Sequence, residues 1–349
     1  MDKRVPLLLV LCPFLAAGQW SVGQITFNAQ DLPRTVGAYY RAYVVTNGPD
    51  VSAFLNTKGG PVRWDFSASR ASGEDIYRID VVASSDGGHG ASFPQTAYAE
   101  RTTHESTGAQ AWSYYQVVPA GRDYFGFYDP ISNALNPLKV FDSPTIDVPK
   151  TVAFNQTWQR EVDFQDLLDA GFGQLTVLIH FTCQAAVDAY GTVVLPNIGE
   201  LPALRVNELH TYELQDTTFG LPLGTQYVRN YYWLAKSIGQ VVNIISNVDS
   251  SAPPADNFGN AATVLRVFES SSAPPTPHSV SNLVVSLKGS DIFLKWDREG
   301  SASAYRVEAS LDLGSSSSWK ALAASSDNFL FDPLDRKASA KFYRVFYDE

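Results

Sequence analysis

Sulfur is scarce in this sequence: its 349 residues include two cysteines and one methionine. Cys12 falls in an apolar leader, so removal of that leader leaves Cys183 alone and excludes an intrachain disulfide. Stability therefore has to come from packing. Cys183 ends the strand-like run Leu175-Thr-Val-Leu-Ile-His-Phe-Thr-Cys183, where a buried inert thiol is expected rather than a nucleophile. Positive charge is short as well. Lys and Arg number 26 against 36 Asp and Glu, a formal net charge of −10, with no basic block anywhere. Phosphate binding needs clustered cations, so nucleic acid and anionic membrane surfaces are excluded as partners. Beyond the leader no stretch approaches the roughly 18 uncharged apolar residues of a membrane span. His-Glu-x-x-His, Gly-x-Ser-x-Gly, phosphate-cradling and zinc-ribbon patterns are missing too, so no local motif nominates an enzyme. No cofactor is called for.

The first 23 residues read as a secretory signal. Lys3 and Arg4 give a basic start, Val5 to Ala17 an apolar core too short to span a bilayer, and small residues follow at Ala16-Ala17-Gly18 and Ser21-Val22-Gly23. A lipoprotein signal built on Cys12 is disfavoured because Leu11 stands where a small residue is wanted. The expectation is an exported protein, secreted or at the cell surface.

What is abundant is aromatic: 20 Phe, 17 Tyr and 7 Trp, beside 24 Gly and 20 Pro that punctuate the chain. That mixture predicts an all-β protein. Between Gln24 and Glu269 short strand-like runs alternate with turn signals such as Asn47-Gly48-Pro49-Asp50 and Asp129-Pro130. The runs are Tyr39 to Val45, Val62 to Phe66, Ile76 to Val82, Ala111 to Val118, Tyr124 to Tyr128, Leu175 to Thr182, Thr192 to Leu195, Ala203 to Leu214, Gln226 to Ala235, Gln240 to Ser246 and Thr263 to Phe268. Their spacing suits hairpins, and an antiparallel β-sandwich or curved half-barrel is expected over residues 24–269. Asp163 to Leu168 is the one stretch that reads as a helical turn or two.

Ser270 to His278 contains Ser-Ser-Ser-Ala-Pro-Pro-Thr-Pro, a spacer composition that cannot enter a central sheet, and marks a linker. Residues 279–349 then alternate again: Ile292, Leu294 and Trp296 share a face, as do Tyr305, Val307 and Ala309. The residues Leu294-Lys-Trp296, Tyr305-Arg-Val307, Leu334 and Phe342-Tyr343-Arg344-Val345 resemble a fibronectin type III or related immunoglobulin-like module. That resemblance implies a small β-sandwich cored by Leu294, Trp296, Tyr305, Val307, Leu334, Tyr343 and Val345. It implies a tyrosine corner in which the Tyr343 hydroxyl bonds back to the preceding loop, and a final strand missing or formed differently. The large domain is similar, through Asp188-Ala-Tyr-Gly191-Thr-Val-Val-Leu-Pro196, Leu204-Arg-Val206, Tyr231-Tyr-Trp233 and Val242 to Ile245, to a β-rich region of uncharacterised secreted bacterial proteins. That implies export and no particular reaction.

Chemistry has few candidates. Glu161, Asp163, Asp166 and Asp169 form the densest carboxylate group, with a solvated loop or helix face as the plain alternative. His180 with Cys183, and His210 with Glu213, are spaced three apart, which on a strand points them to opposite faces and prevents a shared metal. Glu208, His210 and Tyr212 share a face and could form an acid, a base or a binding site, or an ordinary cross-strand polar pairing. The loops Asp86-Gly87-Gly88-His89-Gly90 and Asp256-Asn257-Phe258-Gly259-Asn260 offer oxygen ligands for calcium, or simple turn chemistry. Asn155-Gln156-Thr157 matches the glycosylation triplet, which matters only in a eukaryotic secretory pathway.

Aromatic rings give the leading binding candidates: Trp112, Tyr114, Tyr124, Tyr231 and Trp233. Neighbours such as Tyr231 and Tyr232 must face opposite sides of a strand, so one ring of each pair is either exposed or meets a second layer. Exposed rings with polar handles suit sugars or protein partners. The expected function is non-catalytic: adhesion, or binding of glycan or protein at a cell surface. The alternatives are a secreted carbohydrate-active hydrolase using Asp163, Asp188 and Glu208, or a structural envelope component.

Overall fold

The computed structural model describes residues 25–46, 48–87, 89–169, 173–272, 278–298, 304–311, 320–325, 327–333 and 340–348. The leader lies outside these residues. The chain separates into two compact units, with the division between Pro274 and Pro275. Both are built from strands, and the protein is all-β. Among the described residues no helix is long and apolar enough to cross a membrane.

The larger unit contains β1 (Thr26–Asn28), β2 (Tyr39–Thr46), the short helix α1 (Ser52–Leu55), β3 (Gly59–Asp65), β4 (Asp75–Ala83), β5 (Tyr98–His104), β6 (Gln110–Val118) and β7 (Gly121–Tyr128). It continues through β8 (Leu138–Pro149), β9 (Thr151–Ala153), β10 (Thr157–Asp169), β11 (Gln174–Leu195), β12 (Gly199–Asp216), β13 (Pro222–Ala235), β14 (Gly239–Ser246) and β15 (Ala261–Ser270). One sheet runs in the order β10-β11-β12-β13-β14-β15-β2-β4-β5-β6-β7-β8, with β3 added alongside β11 and a separate β1–β9 pair. The sheet curls until its two end strands face each other. There the contact is made by side chains: Lys139 Nζ donates to Asp166 Oδ1 at 2.8 Å, and the Phe141 and Phe164 rings lie 5.7 Å apart.

Several expectations change. Asp163 to Leu168 is strand, since Val162 and Phe164 alternate with Asp163 and Gln165 and pair in register with β11. The two short runs expected within 175–195 are one 22-residue strand that passes through a bulge between Val187 and Ala189. Pairing is not wholly antiparallel either: β3 runs parallel to β11 from Gly59 to Asp65. Gly191 permits this approach, because a Cβ there would overlap the Val62 backbone. Strands β5, β8 and β10 carry more charge than a propensity reading accepts in a sheet, and each places its charges according to face.

The parallel addition of β3 and the helix α1 covers the convex side of β11 to β13. Beneath them Trp64, Phe66, Tyr231, Trp233, Val242 and Ile244 form one core. The concave side holds a second core, including Phe164, Val177, Phe181, Val206, Tyr232 and Leu234. Tyr231 and Tyr232 therefore face opposite ways into two dry layers. Arg205 clamps the cover in place. Fully buried, it pairs with Asp188 at 2.8 Å through Nε and donates to the Phe54 and Thr57 carbonyls at 2.7 and 2.8 Å.

The smaller unit is a sandwich of two sheets. β16 (His278–Ser279), β17 (Val284–Lys288), β18 (Asp291–Lys295), β19 (Ala304–Ser310), β20 (Lys320–Ser325), β21 (Phe329–Pro333) and β22 (Phe342–Asp348) form a four-stranded sheet β16-β22-β19-β20 and a three-stranded sheet β17-β18-β21. Leu294, Trp296, Tyr305, Val307 and Val345 are buried between them, with Tyr343 partly so and the Trp296 and Tyr305 rings edge-on at 5.4 Å. Leu334 lies outside the described residues. The Tyr343 hydroxyl donates to the Asp332 carboxylate on β21 at 2.6 Å, a strand side chain in place of the expected loop.

Replacing Arg205 leaves Asp188 a buried carboxylate without its cation. Arg205→Met should cost about 3 kcal/mol or more in chemical denaturation of the full chain, and pairing it with Asp188→Asn should recover a large part of that loss. Equal stabilities for the single and double variants would contradict the clamp.

Candidate functional site

On the concave side the curl brings charged residues from distant strands to one small space. β5 contributes Glu100, β7 Arg122, β8 Asp147, β10 Arg160, β12 Glu208 and β13 Asn230 and Tyr232, around a cavity of about 110 Å³. The side chains arrive there by period-two alternation. Arg160, Cys183, His210 and Val228 stand in register across four strands, and Glu208 and Asn230 form the neighbouring pair on the same face.

Two ion-pair groups line the cavity. Arg122 holds Asp147 through Nε at 3.1 Å and a terminal nitrogen at 2.5 Å, and its other terminal nitrogen meets Glu100 Oε1 at 2.9 Å. Its guanidinium lies over the Tyr115 ring, 4.0 Å from the centroid. Glu208 is the hub of the second group. Its Oε2 accepts from Arg160 at 3.1 Å and Asn230 Nδ2 at 3.4 Å and lies 2.8 Å from His210 Nε2, while its Oε1 accepts from the Tyr232 hydroxyl at 3.2 Å. Two polar atoms in this group have no hydrogen-bond partner: Arg160 Nε and Asn230 Oδ1.

These surroundings push the two glutamates apart. Burial raises the Glu100 carboxyl above the usual range, with Arg122 opposing. Burial acts on Glu208 in the same sense, but Arg160 and the bonds from His210 and Asn230 outweigh it and hold its pKa at about 2. The Cys183 thiol is pushed up to about 12, by burial first, with Glu208 adding to the rise and Arg160 opposing it. The thiol is free and buried, as expected from its strand.

The sequence candidates fare unevenly. Tyr114, Tyr231 and Trp233 are fully buried and present no surface to a ligand. Tyr231 and Trp233 belong to the convex core, and Tyr114 stacks on Phe93 at 4.0 Å. Trp112 and Tyr124 are half-buried, against Tyr128 at 5.7 Å and Tyr115 at 5.0 Å. The five rings thus divide among three packing clusters, Tyr231 with Trp233, Tyr114 with Trp112, and Tyr124 apart from both. Three carboxylates proposed for hydrolysis also diverge: Asp163 bonds His180 at 2.6 Å on the convex side, Asp188 lies under the cover with Arg205, and Glu208 alone reaches the cavity. The Asp256 loop uses its carboxylate on Lys58 and on Arg229 at 3.0 Å. In the other loop, of which Gly88 is not described, His89 stacks on Tyr128 at 3.8 Å.

Glu100, Arg122, Asp147 and Arg160 carried no local signal. One retrospective sign is that each stands two residues from an aromatic or β-branched residue. Comparison with protein-family models, with curated proteins and with solved structures returns no match.

Since Glu208 sits below the ordinary carboxylate range when folded, its contribution is complete above about pH 4.5 and drains away as pH falls toward 2. Glu208→Gln should lower stability at pH 7 by roughly 3 kcal/mol, and the gap from wild type should close between pH 4.5 and 2 in a denaturation series. A gap that stays constant with pH would contradict the ion-paired hub.

Proposed function

We propose that this chain is an exported, non-catalytic binding protein whose large unit receives one small hydroxyl-rich group, such as a terminal sugar residue, in the concave cavity. One observation carries the reading: a walled space of about 110 Å³ into whose lining Arg160 and Asn230 bring a donor and an acceptor without partners. Its charges are largely compensated, two guanidiniums against three carboxylates of which Glu100 is pushed toward its neutral form, so a charged ligand gains little there. Hydroxyl groups suit it better, because each can donate to a carboxylate and accept from a guanidinium. Tyr40 and Tyr232 add ring surface to the wall.

Export rests on the basic and apolar leader, and the fibronectin-like assignment of the smaller unit on its residue pattern. Its three-plus-four arrangement of strands and the buried Leu294, Trp296, Tyr305, Val307 and Val345 agree with that assignment. In this reading the smaller unit is a spacer or docking module for the larger one.

A second reading has its own support. Glu100 and Glu208 line the same cavity with pKa values driven in opposite directions, the arrangement that separates an acid from a base in sugar hydrolysis. The guanidiniums already engaging both carboxylates favour binding over turnover.

Calorimetric titration of the full chain with monosaccharides and short oligosaccharides tests both. Saturable binding is expected, weakened about tenfold or more by Asn230→Leu or Arg160→Lys with the fold retained by circular dichroism. Binding to no sugar, or binding indifferent to both variants, sinks the first reading. Product release that disappears in Glu100→Gln would replace it with the second.

A further inference from the structure

Beside the cavity three unlike donors meet, two of which, Glu208 and His210, share a face by their spacing while the third comes from the neighbouring strand. Cys183 and His210 are direct partners across β11 and β12, and Glu208 lies two residues before His210 on the same face. Their donor atoms Sγ, imidazole nitrogen and carboxylate oxygen all lie within 4.8 Å of one another. We propose that Cys183, Glu208 and His210 form a binding site for a divalent transition metal of the zinc class.

The donor set fits that class. Thiolate and imidazole are the ligands that select zinc and its neighbours over calcium and magnesium, and carboxylate completes many such sites. The distance fits too. His210 Nε2 and Glu208 Oε2 are 2.8 Å apart, and an opening of about half an ångström brings them to the roughly 3.4 Å that separates two ligands with bonds of about 2.1 Å on a tetrahedral ion. A fourth donor stands beside them: Asn230, whose amide nitrogen is 3.4 Å from Glu208 and whose buried Oδ1 has no partner. The adjoining cavity gives an ion and a bound water a way in.

Arg160 explains how the site is held without metal. Its guanidinium, 3.1 Å from Glu208, supplies the positive charge that the buried carboxylate requires. When the metal binds, the thiol gives its proton to solvent, and thiolate and carboxylate together balance the two charges of the ion.

The test needs no sugar, so it stands or falls apart from the ligand reading. The full chain, stripped with chelator and desalted, is titrated with Zn²⁺ by calorimetry and with Co²⁺ by absorption. We expect one equivalent of each, with a thiolate-to-cobalt charge-transfer band in the near ultraviolet. Cys183→Ser should abolish the band and weaken Zn²⁺ binding at least about tenfold, and His210→Asn should weaken it similarly. Wild-type protein that binds no Zn²⁺, or that binds Co²⁺ with no thiolate band, overturns the proposal even where a variant fails to fold. A band that survives Cys183→Ser overturns it as well.

Discussion

Strands β11, β12 and β13 are apolar on both faces over half their length, and the rest of the large unit follows from having to cover both. On the convex side the cover is α1 with the parallel strand β3, brought close by Gly191 and held by Arg205. On the concave side no single element is large enough. The sheet covers itself by curling, with the β1–β9 pair and Leu32 packed inside the bend. A sheet buried on one face could have stayed open; one buried on both has to bend and carry a second layer. The fully buried Tyr231, Trp233 and Trp64 record the depth of that demand.

Curling has an electrostatic consequence. Strands far apart in sequence deliver inward-facing residues to one place, and several of these are charged. Such groups are tolerated only because they arrive in compensated sets: Arg122 with Asp147 and Glu100, Arg160 with Glu208. Glu208 shows how complete the compensation is, since four neighbours engage its two oxygens and its carboxyl stays ionised far into acid. The same neighbours leave Arg160 Nε and Asn230 Oδ1 unpaired, and that imbalance is what gives the cavity chemical character.

Period-two alternation made the all-β class legible, along with most strands rich in Val, Ile, Tyr and Phe. It also paired Glu208 with His210 on one face. Strands whose inward positions are charged were not legible: Tyr98–His104 has Glu100 where a buried strand normally carries an aliphatic residue, and Thr157–Asp169 has Arg160 and Asp166. Spacing within a strand gave the right faces for His180 and Cys183 but said nothing of the strand beside them. The contact of Cys183 with His210 depends on register between β11 and β12, which a bulge at Val187 and Ala189 adjusts. The burial of Tyr231 was hidden for a related reason: whether that ring meets solvent depends on the loop at Asp256 and Phe258, a distant piece of chain that bonds to it and packs against it.

A concave core that had only to fold would be better served by aliphatic side chains than by five ionised or ionisable groups. Replacing buried ion pairs with well-packed apolar residues is often neutral or stabilising, whereas each pair kept in the interior must be desolvated and then satisfied almost completely. Beside the cavity satisfaction falls short at Arg160 Nε and Asn230 Oδ1, as it does elsewhere at Arg101 Nε and at several Trp indole nitrogens, while Arg205 with Asp188 has its hydrogen bonds filled. At Arg160 and Asn230 the shortfall lies where a ligand entering the cavity could make it good. That locality connects a cost in folding to binding, and it makes the Glu208 neighbourhood, rather than the aromatic surface, the first place to alter.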